Sequence, residues 1–336
     1  MGREPTGGDT GELCLGFDAL NIQAFAERMD GGHKRLILWM ATATSLSLLL
    51  YRRHVAKLVF KGGEMLSGDV GTSYPLAGLI LVAVFLLLRW QDLHQILLRE
   101  RGLTSRPTIR LAGLIFALSP LLFTNDLEGP RAYVLPILAA AMVLVWYGMS
   151  LAVNPLTFRM LLPYAFLCVV SILSPGPVQS MIGEPLASLT SLLSRLISNL
   201  MGVPALWWGR EAEFLSQRGG RLHVDITPGC SSISSISIFL LLCGLMHLDL
   251  KSDLSSTLKL ASLGTVALIL INALRISTLM WVGYMFGWKA FRSLHSWLGY
   301  AIFTGFYLTA LVVYLGTKHP SKITTSIEAD AIDSSN

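Results

Sequence analysis

LASLGTVALILINALRISTLMWVGYMFG, residues 260–287, decides the fold. It stays apolar for longer than the roughly 20 residues that cross about 30 Å of hydrocarbon at about 1.5 Å each. One charge, Arg275, interrupts it. The same texture runs outward through the chain. Of 336 residues, 53% are hydrophobic and 14% charged, and the mean hydropathy is +0.58. A soluble domain carries about 25% charged residues. This composition excludes a pair of soluble domains, a disordered chain and a disulfide-rich secreted module. The net charge of +5 is no nucleic-acid footprint, because polytopic membrane proteins keep basic residues in short flanking loops. The sequence describes an integral membrane protein.

Apolar segments lie at 36–51, 74–90, 109–124, 132–153, 156–182, 233–250, 258–286 and 297–316. They predict an all-α, polytopic membrane bundle of about eight transmembrane helices. The first and third are short for a span, and the fifth and seventh are long enough to tilt or break. Residues 185–206 alternate leucine and serine around Arg195. They read either as an amphipathic helix lying on the membrane or docked to the bundle, or as a further span. A re-entrant or interfacial helix is thus expected before the sixth span. Residues 207–229 form the one sizeable polar loop, with a hairpin suggested at Gly219-Gly220. A loop of this length is usually functional or covers a site.

The ends differ from the middle. Residues 1–34 form a polar leader without the apolar core of a signal peptide, so no cleavage is expected. Residues 318–336 read as a disordered tail. Between them, 35–317 makes one membrane domain. Arg99, Arg101, Arg106 and Arg110, with Asp126 and Glu128 in the next loop, favour a cytoplasmic N-terminus. Arg52, Arg53, Lys57 and Lys61 pull the other way. The favoured topology puts the 207–229 loop on the extracytoplasmic side of the cell membrane.

Three polar residues can carry chemistry. Of the cysteines Cys14, Cys168, Cys230 and Cys243, none has metal-ligand or CxxC spacing. Cys168 and Cys243 lie in apolar runs, where a thiol behaves as a small hydrophobe. Cys230 opens the serine-rich helix start PGCSSISSIS, where amide donors and the helix dipole favour a thiolate. The blander reading there is a small-residue packing face of Ser231, Ser234 and Ser237. Arg275 lies about eleven residues inside its run, with Asn272 one turn earlier on the same face. A charge so far from water lines a polar interior or pairs with something. His295 stands at the head of the last span and, by parity, on the same side as Cys230. A neutral imidazole serves as base for a thiol and acid for its leaving group. These residues leave two readings open: an acyl-transfer set, or a transporter or channel binding an anion at Arg275. A non-catalytic component of a surface-assembly complex is a third.

At these same residues the sequence resembles the exosortase and archaeosortase family of membrane-embedded cysteine transpeptidases. The blocks are PGCSSISSI, NALRI and HSWLG, preceded by LISNLMGVPALWWG. The likeness covers about 156–316; before it, only hydropathy agrees. It implies that Cys230 is the nucleophile, Arg275 the essential arginine and His295 the catalytic histidine; Asn272, Ser231 and Ser234 are supporting candidates from their positions beside these residues. It also implies partners: membrane proteins ending in a short motif, a transmembrane helix and a basic cluster, and a lipid or glycan acceptor for the new carboxyl end. A link to exopolysaccharide production goes with it. The implied chemistry is thiolate attack and thioester transfer, with no cofactor and no metal. One departure stands out. Family members commonly show Cys-Ser-Gly, whereas this chain has Cys230-Ser231-Ser232 and so lacks a glycine's backbone freedom.

Overall fold

A computed structural model describes residues 31–50, 52, 70–88, 107–120, 131–153, 155–250 and 253–318. The leader before residue 31 with Cys14, most of the charges used for orientation (Arg53, Lys57, Lys61, Arg99, Arg101, Arg106, Asp126 and Glu128), and the tail beyond 318 lie outside the described residues. Within them the chain is predominantly helical. The helices are α1 (Gly31–Leu50), α2 (Val70–Leu88), α3 (Pro107–Leu118), α4 (Arg131–Val153), α5 (Pro155–Leu173) and α6 (Pro175–Leu200). Strands β1 (Leu206–Trp208), β2 (Glu211–Leu215) and β3 (Arg221–Asp225) follow. After a 3-10 turn, Pro228–Cys230, come α7 (Ile233–Leu250), α8 (Leu254–Phe286) and α9 (Trp288–Lys318).

Four stretches among the described residues are long and apolar enough to cross a membrane: Leu156–Leu173, Pro228–Asp249, Leu254–Phe286 and Trp288–Val313. Shorter apolar helices cover Met40–Leu49, Ala77–Leu88, Pro107–Leu118 and Pro136–Ala152. The protein is therefore a multi-pass helical membrane protein, with four full-length candidates among the described residues. Two expected boundaries also move. The segment 156–182 is divided at Ser174-Pro175, because Pro175 and Pro177 each lack an N–H. The last helix begins at Trp288, nine positions before the predicted 297, so His295 lies two turns inside it. The class is also not purely α, since the 207–229 loop folds as a sheet of order β1-β2-β3.

Helix α7 is the axis of the bundle. Phe239, Leu241, Leu242, Leu245 and Met246 form its core with Tyr164, Cys168 and Ile172 of α5, Leu268 of α8, and Phe303 of α9. Serines within α7 fasten its neighbours. Ser171 Oγ donates to Ser237 O at 3.1 Å, and Tyr307 OH of α9 donates to Ser235 O at 2.9 Å. Without a hydrophobic drive between helices in lipid, such bonds and close packing of small residues hold them together. The backbones of α3 and α4 approach closely. A Cβ on Gly148 would stand 2.5 Å from Ala117 N, and one on Gly113 2.5 Å from Ala152 N.

Helix α6 is amphipathic in the inverted sense. Gly183, Ala187, Thr190, Ser191, Ser194 and Ser198 are buried along one face, while Leu189, Leu192, Leu196 and Leu200 are exposed. The 3–4 spacing on both faces is that of one helix. Its small face docks on the bundle. Ser194 Oγ donates to Ala273 O of α8 at 3.4 Å, Ser277 Oγ donates back to Ser194 O at 3.1 Å, and Gly183 leaves room for Pro228.

Candidate active site

The turn carrying Cys230 is short because the chain must pass from β3 into α7 within seven residues, 226–232. Pro228 begins it, and the Cys230 N–H donates to Thr227 O at 2.8 Å. Thr227 Oγ1 lies 3.7 Å from Cys230 Sγ, and the thiol is half-buried. Helix α7 then starts abruptly. Ser232 accepts its first backbone bond, from Ile236 N at 2.9 Å, in a left-handed conformation (φ 64). No other non-glycine among the described residues has positive φ. This is the position at which the resemblance led to an expected glycine, and here serine adopts the conformation that glycine takes without strain.

Asn272 ties the turn to α8. Its Nδ2 donates to Cys230 O at 2.6 Å, and its Oδ1 accepts from Arg275 Nη1 at 3.4 Å. Both side chains are buried. The guanidinium also lies 6.0 Å from the ring centroid of Phe303 in α9, a cation–π distance. The order Cys230–Asn272–Arg275–Phe303 thus joins three helices. Of the expected set Cys230, Arg275 and His295, the first two are linked through Asn272.

His295 approaches from α9. Its ring stacks on Phe291 at 6.0 Å. Phe291 packs against the same apolar cluster as Cys230, with Val203, Ala212, Phe214, Leu222, Ile226, Ile276 and Met280 at its centre. Gly287 (φ 84) is the only residue between α8 and α9. Counting from it, His295 lies about 12 Å along α9 and Arg275 about 18 Å back along α8. The histidine therefore stands about one helical turn nearer the sheet than the arginine.

The depth of Arg275 has a structural explanation. Helix α7 is 18 residues, about 27 Å. Asn272, which meets the turn before α7, is 18 positions beyond Leu254, also about 27 Å. Helix α8 then continues unbroken for about 21 Å to Phe286. That overhang is covered by the inner face of the sheet rather than left bare. Gln217 N donates to Tyr284 O at 2.8 Å, and Ser216 Oγ donates to the same oxygen at 3.0 Å. Arg275 thus sits near the upper end of α7, beneath a protein cap, and α8 does not break at Gly283.

The serine row divides. Ser235 and Ser237 hold neighbouring helices, and Ser234 is half-buried in the first turn of α7. Ser231 and Ser232 are buried, and neither hydroxyl has a hydrogen-bond partner; Trp207 Nε1, on the inner side of β1, is in the same state. Each such buried group left unpaired costs about 1–3 kcal/mol. Sequence reasoning missed Thr227, Phe303, Trp207 and Ser232. The departure from Cys-Ser-Gly was the one signal available for Ser232, and nothing in the sequence pointed to Phe303.

No curated protein and no solved structure matches the chain. A family model described as transmembrane exosortase (Exosortase_EpsH) matches residues 71–313, a range that contains the Cys230 turn, Arg275, His295 and the sheet above them, and the chain belongs to that family.

Proposed function

We propose that this membrane cysteine transpeptidase works through Cys230, Arg275 and His295, with Asn272 holding the first two in register. The observation that carries the reading is the 2.6 Å bond from Asn272 Nδ2 to Cys230 O, with Arg275 on the same asparagine. Residues 42 positions apart are drawn to one point, and a buried arginine is tied through the same asparagine to a cysteine at a helix start. Such a charge is expensive unless it is used.

The reaction follows from these groups. A sorting-signal protein presents its scissile peptide at the turn, and the Cys230 thiolate attacks the carbonyl carbon. The S–C bond forms and the C–N bond breaks. The departing amine takes a proton from His295, leaving a thioester. His295 then removes a proton from the acceptor nucleophile, which forms its bond to the same carbon and releases the thiolate. Through Asn272, the positive guanidinium is held at the stretch of α8 that meets the Cys230 turn.

The substrates are surface-directed proteins with C-terminal sorting signals, and the acceptor is a lipid or glycan. The sheet faces the extracytoplasmic side, and the shorter apolar helices complete a bundle of about eight spans. Helix α6, with serines inward and leucines outward, lies at the outer boundary as an interfacial collar. On this placement the Cys230 turn stands about 27 Å above the α7–α8 connection, roughly one hydrocarbon thickness.

The test is covalent trapping. A substrate carrying the host's sorting tail should leave an acyl adduct on Cys230 that hydroxylamine releases. Cys230→Ala and His295→Ala should abolish processing at normal membrane abundance. Full processing by the Cys230→Ala protein would sink the assignment.

A further inference from the structure

Cys230 is followed by a helix start whose polar groups are left open. The backbone N–H groups of Ile233, Ser234 and Ser235 have no intrahelical acceptor, since the first bond of α7 runs from Ile236 N to Ser232 O. A serine at this capping position normally spends its hydroxyl on one of those donors. Here it does not: Ser232 Oγ is without a partner, and so is Ser231 Oγ. The two side chains are 7% and 1% exposed, respectively, so bulk water does not satisfy them. The backbone is held at positive φ at Ser232, a strained state for serine of the kind that collects at functional sites. The Arg275 guanidinium is held by Asn272 Oδ1 and lies over the Phe303 face.

We propose that the first turn of α7, with the hydroxyls of Ser231 and Ser232, is the pocket that receives the carbonyl oxygen of the group being acylated on Cys230. The ligand class is an acyl carbonyl whose oxygen becomes negative as sulfur adds. Hydroxyls donate to that oxygen, and a helix N-terminus favours the charge. The inference rests on Cys230 being the nucleophile and divides the labour of the site. The start of α7 takes the oxyanion, and Arg275 acts on the thiolate.

Two small probes separate these roles with the full-length protein in detergent. Iodoacetamide alkylates Cys230 by displacing iodide, with no carbonyl addition. p-Nitrophenyl acetate acylates it: the thiolate adds to the carbonyl, the oxygen takes the electron pair, and collapse expels p-nitrophenolate. Rates are read on the Cys230 peptide by mass spectrometry, so other cysteines do not intrude. Ser231→Ala and Ser232→Gly should each slow acylation at least ~10-fold and leave alkylation within about twofold, against ~100-fold or more for losing one preorganised donor in an enzyme acting on its own substrate. Ser232→Gly is the decisive variant, because glycine readily keeps the positive-φ backbone while the hydroxymethyl group is removed. Unchanged acylation in both variants, or an equal fall in both reactions, overturns the pocket while leaving Cys230 as nucleophile. A Cys230 inert to both probes in the unaltered protein overturns the nucleophile itself, and the pocket with it.

Discussion

Asn272 spends both ends of one amide, and the two ends can be tested apart. Its NH₂ holds the Cys230 carbonyl and its oxygen accepts from Arg275. Asn272→Asp keeps an acceptor for the guanidinium and replaces the donor to Cys230 O with a second acceptor. Asn272→Ala removes both. If the strap on the cysteine turn is what matters, the two variants should lose processing alike, by ~10-fold or more, since an orphaned buried carbonyl costs about 1–3 kcal/mol. If Asn272→Asp keeps full activity, the bond to Cys230 is dispensable. Arg275→Lys examines the other end. An ammonium keeps the charge but lacks the planar fork and stacks less well over Phe303, so processing should fall while thiol reactivity toward iodoacetamide persists. At this scale the sequence was informative. An arginine and asparagine one turn apart in an apolar run, and a cysteine at a helix start, are anomalies with few explanations. Phe303 was not legible, because an apolar residue in a span carries no such mark, and Ser232 was marked only by the departure from Cys-Ser-Gly.

Between elements, the crossing of α7 and α8 is the tightest constraint on the site's position. A Cβ on Gly264 would fall 2.2 Å from the Phe239 ring, and Phe239 is fully buried. Gly264→Ala must therefore push α8 away from α7, at a cost of about 1–3 kcal/mol. Phe239→Leu costs part of its packing but makes room for the methyl. The pair should be less damaging than the sum of the singles, with a coupling of about 1 kcal/mol or more. Thermal unfolding of the four proteins in one detergent measures this, and additivity would mean the helices do not share that contact. The same helices show where hydropathy misleads. Ile276, Met280, Trp281 and Tyr284 read as the end of a span, yet they pack under Phe214 and Leu222 of the sheet. Apolar patterning registers removal from water and does not say whether lipid or protein removes it. The predicted depth of Arg275 came from that ambiguity. The division of segment 156–182 had a signal in Pro175 and Pro177, which a hydropathy window averages away.

Across the whole molecule, the candidate site lies at one end of α7. The sheet, the Cys230 turn, the end of α8 and the start of α9 gather at that end, while the α7–α8 connection lies at the other. Helix α7 separates them by about 27 Å. Exposed ion pairs such as Arg221 with Glu213 at 3.6 Å mark the outer face of the sheet as water-facing, though each is worth little stability. If that face is extracytoplasmic, a membrane-impermeant maleimide should label Arg221→Cys in intact cells. Ser255→Cys, exposed at the start of α8, should be labelled only after the membrane is opened. Both substitutions belong in a background where Cys14 and the reactive Cys230 are replaced, since Cys168 and Cys243 are buried. The reverse pattern would place the sheet and Cys230 in the cytoplasm, where no surface-directed acceptor is presented, and would overturn the orientation while leaving the thiol chemistry intact. Equal labelling of both positions in intact cells would mean that α7 does not separate two compartments, and the 27 Å agreement between α7 and the Leu254–Asn272 stretch of α8 would then lose its meaning as a membrane thickness.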